Sequence, residues 1–127
     1  MFRWLSRLGG SSRARPARDV LLNDGLELAM DWGEDWLAPI QDRLLQQHAY
    51  LRREELDELN ATCQDAMKSG HDIAYKMVRE SGMNVTQDEF TALVLAKYPW
   101  LNAQNSARLF NQSTYYVWKT GGPPRGA

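Results

Sequence analysis

Few side chains in this 127-residue sequence are of types that perform chemistry, and their spacing limits what that chemistry is. The thiol is Cys63, the imidazoles are His48 and His71, and carboxylates gather at residues 31–35 and 54–58. On one helix Cys63 and His71 stand about 12 Å apart, too far for a nucleophile and its base. In a stripe of small residues, the thiol reads as an inert core group. No His-x-x-x-His, Glu-x-x-His or paired-Cys spacing offers a metal its ligands. Gly9-Gly10 lies in a polar stretch rather than between a strand and a helix, where a phosphate loop belongs. No cofactor or metal is expected, and the chain reads as non-enzymatic. The enzymatic alternative is a site assembled from residues distant in sequence, lined by His48, His71 or clustered carboxylates.

Two constellations point to binding instead. In Asp31-Trp32-Gly33-Glu34-Asp35-Trp36, a helix would stack Asp31 over Asp35 and Trp32 over Trp36. Like charges one turn apart repel until a cation compensates, so this reads as an acidic, aromatic docking patch for a basic protein surface or for the chain's own Arg-rich arm. The plain alternative makes the tryptophans core anchors and leaves the carboxylates in water. Exposed members of the set Trp32, Trp36 and Trp100 are the expected protein contacts, since tryptophan is enriched at binding hot spots.

The second constellation covers residues 86–119, where a short helix, a connection and a longer helix match the outline of a DNA-reading helix–turn–helix. Asn105, Arg108, Gln112, Tyr115 and Lys119 recur at steps of three and four, a polar stripe able to meet base edges or phosphates. Two bases supply little phosphate attraction, however. Tyr98-Pro99-Trp100-Leu101 also lacks the small-residue turn of that motif. Nucleic-acid recognition is therefore the alternative to a protein contact.

The elements that must position these groups are helical. Leu56, Leu59, Cys63, Ala66, Gly70, Ile73 and Met77 alternate by three and four, predicting one long helix over about 53–81 that stops at Ser81-Gly82. Gly70 weakens it, and Ser69 offers a fresh cap, so a break at 69–71 is open. Upstream, Asp24 with Glu27 resembles a capping box ahead of Leu26, Ala29 and Met30, with a start at Asp19 or Asp24. Pro39 marks the start of a second helix carrying Ile40, Leu44, His48 and Leu51 on one side. Thr86 with Glu89 forms another capping box, followed by Phe90, Leu93 and Val94. Asn102 caps a last helix through about Lys119, with Ala103, Ala107, Phe110, Val117 and Trp118 expected inside. No alternating run predicts a strand. The fold class is all-α, a small bundle of four to five helices.

Charge is divided along the chain although the net value is only −1. Residues 1–18 carry five Arg and no acid, whereas residues 19–66 carry twelve acids against Arg43, Arg52 and Arg53. The expected organisation is a flexible basic arm over 1–18, a helical domain over 19–120 and a disordered tail over 121–127. The arm begins with Phe2, Trp4, Leu5 and Leu8 among Arg3 and Arg7, a pattern fit for weak contact of residues 1–8 with an anionic membrane, or for docking on the acidic segment. A single cysteine cannot form an internal disulfide, which fits a reduced, cytoplasmic setting. No apolar run reaches the ~20 residues that span a bilayer. The expected activity is protein–protein interaction of an adaptor or regulator type, with self-association a further option.

Overall fold

The three-and-four rhythm from Leu56 to Gly70 is the inward face of one uninterrupted helix; beyond it the seam moves to Ala74 and Val78, leaving Ile73 and Met77 half-buried. The structure, a computed structural model, describes residues 16–31, 38–82 and 84–119. Its elements are α1 (Arg18–Ala29), α2 (Gln41–Gln47), α3 (Arg53–Ser81), α4 (Gln87–Lys97) and α5 (Ala103–Lys119), with no strand among the described residues. The described residues form an all-α bundle of five helices. The expected arm and tail lie outside the described residues, except that Pro16 and Ala17 are described and Arg18 already opens α1.

Helix α3 buries Leu56, Leu59, Cys63, Ala66, Met67, Gly70, Ala74 and Val78. It does not break at 69–71, because the missing side chain of Gly70 admits Leu109 of α5. A Cβ there would lie 2.9 Å from Leu109 Cγ. Packing across the helix thus overrides the local weakness of glycine. Gly82 ends the helix at φ +66°, a conformation that side chains with a Cβ rarely adopt.

The expected capping box at Asp24 is corrected. Helix α1 starts at Arg18, and Asp24 sits in its middle, where its carboxylate meets His48 at 2.8 Å. Pro39 lies two residues before α2 rather than at its first turn. Ile40 and Leu44 are fully buried against α1, whose Gly25 has no Cβ to obstruct them. Asn60 Oδ1 accepts the backbone N–H of Ile40 at 3.1 Å, fastening the start of α2 to α3. Thr86 caps α4 by accepting from Glu89 N at 3.2 Å, and its hydroxyl donates to the Glu89 carboxylate at 3.0 Å. Phe90 is fully buried and meets Phe110 edge-on, with ring centroids 5.3 Å apart.

Helix α5 has the expected cap, Asn102 Oδ1 accepting Asn105 N at 2.8 Å, but a different inner face. It buries Asn105, Ser106, Leu109, Gln112, Ser113 and Val117. Of the face expected from apolarity, only Val117 is buried: Ala103 is exposed, Ala107 and Phe110 are half-buried, and Trp118 is 64 % exposed. The helix is turned because α1 offers it polar groups. Asn105 Nδ2 donates to both the backbone and side-chain oxygens of Asn23, each at 3.0 Å. Asn23 in turn donates to Trp100 O at 2.8 Å and accepts Asn102 N at 3.0 Å. Buried polar atoms that satisfy one another are well tolerated in a core.

Candidate functional site

The C-terminus of α1 leaves backbone carbonyls without helical partners, and side chains from two other helices supply donors. Arg43 Nη1 donates to Leu28 O at 3.0 Å, Arg108 Nη2 to Met30 O at 3.3 Å, and Gln112 Nε2 also to Met30 O. Asp31 follows directly, with Arg43 at 3.2 Å and Arg108 at 3.6 Å. A carboxylate at the negative end of a helix dipole is unfavourable alone. Here two guanidinium groups offset it. Both arginines are therefore already committed to the end of α1.

This geometry decides where the expected contact residues stand. Asp31 belongs to the α1 cap, and its own cations are Arg43 and Arg108. Trp32, Asp35 and Trp36 lie outside the described residues. Trp100 is half-buried, packed edge-on to Tyr98 at 6.0 Å, and its carbonyl is held by Asn23. It is an anchor of the α4–α5 connection.

The polar stripe expected to face DNA is also corrected. Asn105 is 4 % and Gln112 2 % exposed, both facing α1. Their amides are spent on Asn23 and Met30, so neither is presented to a base edge. Arg108 is half-buried against Asp31. Only Tyr115 and Lys119 of that stripe are exposed.

Those two residues belong to a different surface. At the end of α5, Tyr115 and Trp118 are neighbours one turn apart, with ring centroids 6.0 Å apart, and Tyr116 lies 5.3 Å from Tyr115. Lys119 Nζ stands 5.9 Å from the Tyr115 ring centroid, a cation–π distance. Trp118 exposes more of its surface than any other large apolar side chain of the described residues. Rigid aromatic area beside a cation can hold apolar or aromatic groups and a carboxylate together. The sequence signal for this site was present in Tyr115-Tyr116-Val117-Trp118-Lys119, but apolarity assigned Trp118 to the interior.

A second cluster has the residue types of catalysis without the arrangement. Lys97 Nζ donates to Ser69 Oγ at 3.0 Å, Ser69 and the Tyr98 hydroxyl lie 2.8 Å apart, and Tyr98 donates to the Asp65 carboxylate. Burial raises the Tyr98 hydroxyl above its ordinary value, and the hydrogen bond to Asp65 raises it further. The phenol keeps its proton, which it donates in a hydrogen bond to Asp65, so Ser69 stands against a phenolic oxygen rather than a base. The cluster binds the end of α4 to α3. Its members, about thirty positions apart, share no sequence motif. Cys63 donates to Leu22 O at 3.4 Å, and burial pushes its thiol up to about 12, despite the opposing Arg18 charge. Such a thiol is a poor nucleophile. Among the described residues no three His, Cys, Asp or Glu side chains are grouped to hold a metal ion, and no helix is long and apolar enough to cross a membrane.

No protein-family model, curated protein or solved structure matches this chain.

Proposed function

We propose that this chain is a non-enzymatic helical domain that acts by binding another protein through the aromatic end of α5. The observation that carries the reading is Trp118, 64 % exposed and adjoining Tyr115 and Lys119 on a regular helix. Tryptophan is ordinarily well buried, and holding so much of it in water has a cost that contact with a partner would recover. Tryptophan and tyrosine are also the residues enriched at interface hot spots. The polar seam between α1 and α5 supports this reading, since it fixes the helix that presents the rings. A reduced, cytoplasmic setting agrees with one buried, protonated thiol at Cys63.

The test is quantitative affinity capture on the full chain, followed by measurement of direct binding for whatever is retained. Wild type and Leu93→Ala, which changes an exposed apolar residue on α4, should retain the same protein. Trp118→Ala should lose it, with at least a tenfold weaker Kd, as expected for a hot-spot residue. Retention indifferent to Trp118 would overturn the assignment.

A further inference from the structure

The first turns of α1 and α3 enclose a groove of about 240 Å³ lined by Pro16, Arg18, Leu21, Leu51, Glu55, Glu58 and Leu59. Its floor is apolar: Leu21, Leu51 and Leu59 are 7 %, 6 % and 2 % exposed. Its rim is charged, and Glu58 stands 63 % exposed with Arg18 at 3.3 Å. On the rim itself Glu55 and Glu58 outnumber Arg18, and along the same turns Asp19, Glu54 and Asp57 stand against Arg52 and Arg53, so this end carries a surplus of negative charge. The groove has room for one large aromatic side chain flanked by cations.

We propose that the occupant is the chain's own residues 2–8, with Trp4 seated on Leu51 and Leu59 and with Arg3 and Arg7 on the acidic rim. Three observations select it. Residues 1–15 contain four arginines and no acid, opposite in sign to the rim. Trp4 lies between Arg3 and Leu5, an aromatic beside a cation, matching an apolar floor beside an acidic rim. The described chain starts at Pro16, which itself lines the groove. The intervening GGSSRAR offers no large apolar side chain of its own to bury, and the twelve steps from Trp4 to Pro16 reach up to ~40 Å when extended, ample for folding back. A tethered segment acts at an effective concentration in the ~mM range, so an affinity far too weak for a free peptide suffices. The groove belongs to the start of α3 and does not involve Trp118. The proposal therefore stands apart from the function assigned to the end of α5.

Leucine methyl NMR on the full chain tests it, because a seated indole shifts the methyl groups beneath its ring. Trp4→Ala should move the methyl resonances of Leu51 and Leu59 and leave those of Val94 and Leu109 in place. Arg3→Glu combined with Arg7→Glu should move the same resonances part of the way, as should Glu58→Lys. The wild-type positions should be unchanged on tenfold dilution. Unmoved Leu51 and Leu59 methyls in Trp4→Ala would overturn the proposal. So would shifts that fade on dilution, which would assign the seat to the arm of a second copy, or shifts confined to the α5 end. Partner capture by Trp118 is read separately and is unaffected by any of these results.

Discussion

Asn23 and Asn105 face each other across the buried seam of α1 and α5, with the Asn105 amide reaching both oxygens of Asn23 at 3.0 Å. Further along, Gln112 binds the carbonyl of Met30. The two helices therefore run in the same sense, and their register is set by amides rather than by methyl groups. An apolar seam would tolerate rotation of α5; one built from directional bonds does not.

Replacing Asn105 with Leu should destabilise the chain by ~1–3 kcal/mol, the cost of leaving buried polar groups unpaired. Asn23→Leu should cost more, because Asn23 also donates to Trp100 O and accepts Asn102 N. Urea unfolding curves of both variants should preserve this order. Equal and negligible losses would show that the seam contributes nothing.

Gly70→Ala is expected to destabilise by ~1–3 kcal/mol even though alanine favours helix by ~1 kcal/mol. The new methyl group would sit 2.9 Å from Leu109 Cγ, a branch point that cannot swing aside as a chain end could. A rise in Tm would refute the close approach of α3 and α5.

Ser106 is 1 % exposed, and its hydroxyl has no hydrogen-bond partner among the described residues. Ser106→Ala should consequently raise stability by ~0.5–2 kcal/mol, since it removes a desolvated hydroxyl and improves helix propensity. Thermal unfolding reads the sign directly.

Alkaline pH should weaken the fold through Cys63. Its thiol is held near 12 when folded against an ordinary 9.0. The folded state thus keeps a proton that the unfolded state gives up, and stability falls as pH rises from 9 toward 12. One such group gives a slope of at most ~1.4 kcal/mol per pH unit. The raised Tyr98 hydroxyl acts in the same direction above about pH 10. Cys63→Ala should flatten the lower part of this decline. An unchanged pH profile in that variant would place the thiol in water.

Trp118→Ala should change stability by less than ~0.5 kcal/mol, as expected of an exposed position. Leu59→Ala, 2 % exposed, should cost ~2–5 kcal/mol. Comparing the two by urea titration separates a binding residue from a core residue. A large loss in Trp118→Ala would mean that the indole supports the fold.

The contrast between α3 and α5 shows how much was legible in the sequence. Helix α3 is long, its buried side chains are mostly apolar and its limits coincide with the expected ones, because one repeating pattern records one buried face. In α5 the pattern misleads. Asn105 and Gln112 look solvated until Asn23 and the Met30 carbonyl, about eighty positions away, are seen opposite them. Once those amides are turned inward, the helix must carry Trp118 outward. The same long-range dependence hid the Lys97–Ser69–Tyr98–Asp65 chain and the arginines that cap α1. Periodicity records the average polarity of a face; it carries no record of which distant atoms will satisfy it.

The unbroken course of α3 has one further consequence. Glu55 and Leu59 border the groove near its beginning, whereas Leu109 meets Gly70 well along it, and α5 continues in the same direction to Trp118. At 1.5 Å per residue, the levels of the two surfaces differ by ~30 Å. A stiff strut of this kind keeps two attachment points at a constant separation. At that distance, contact at one end would not obstruct the other.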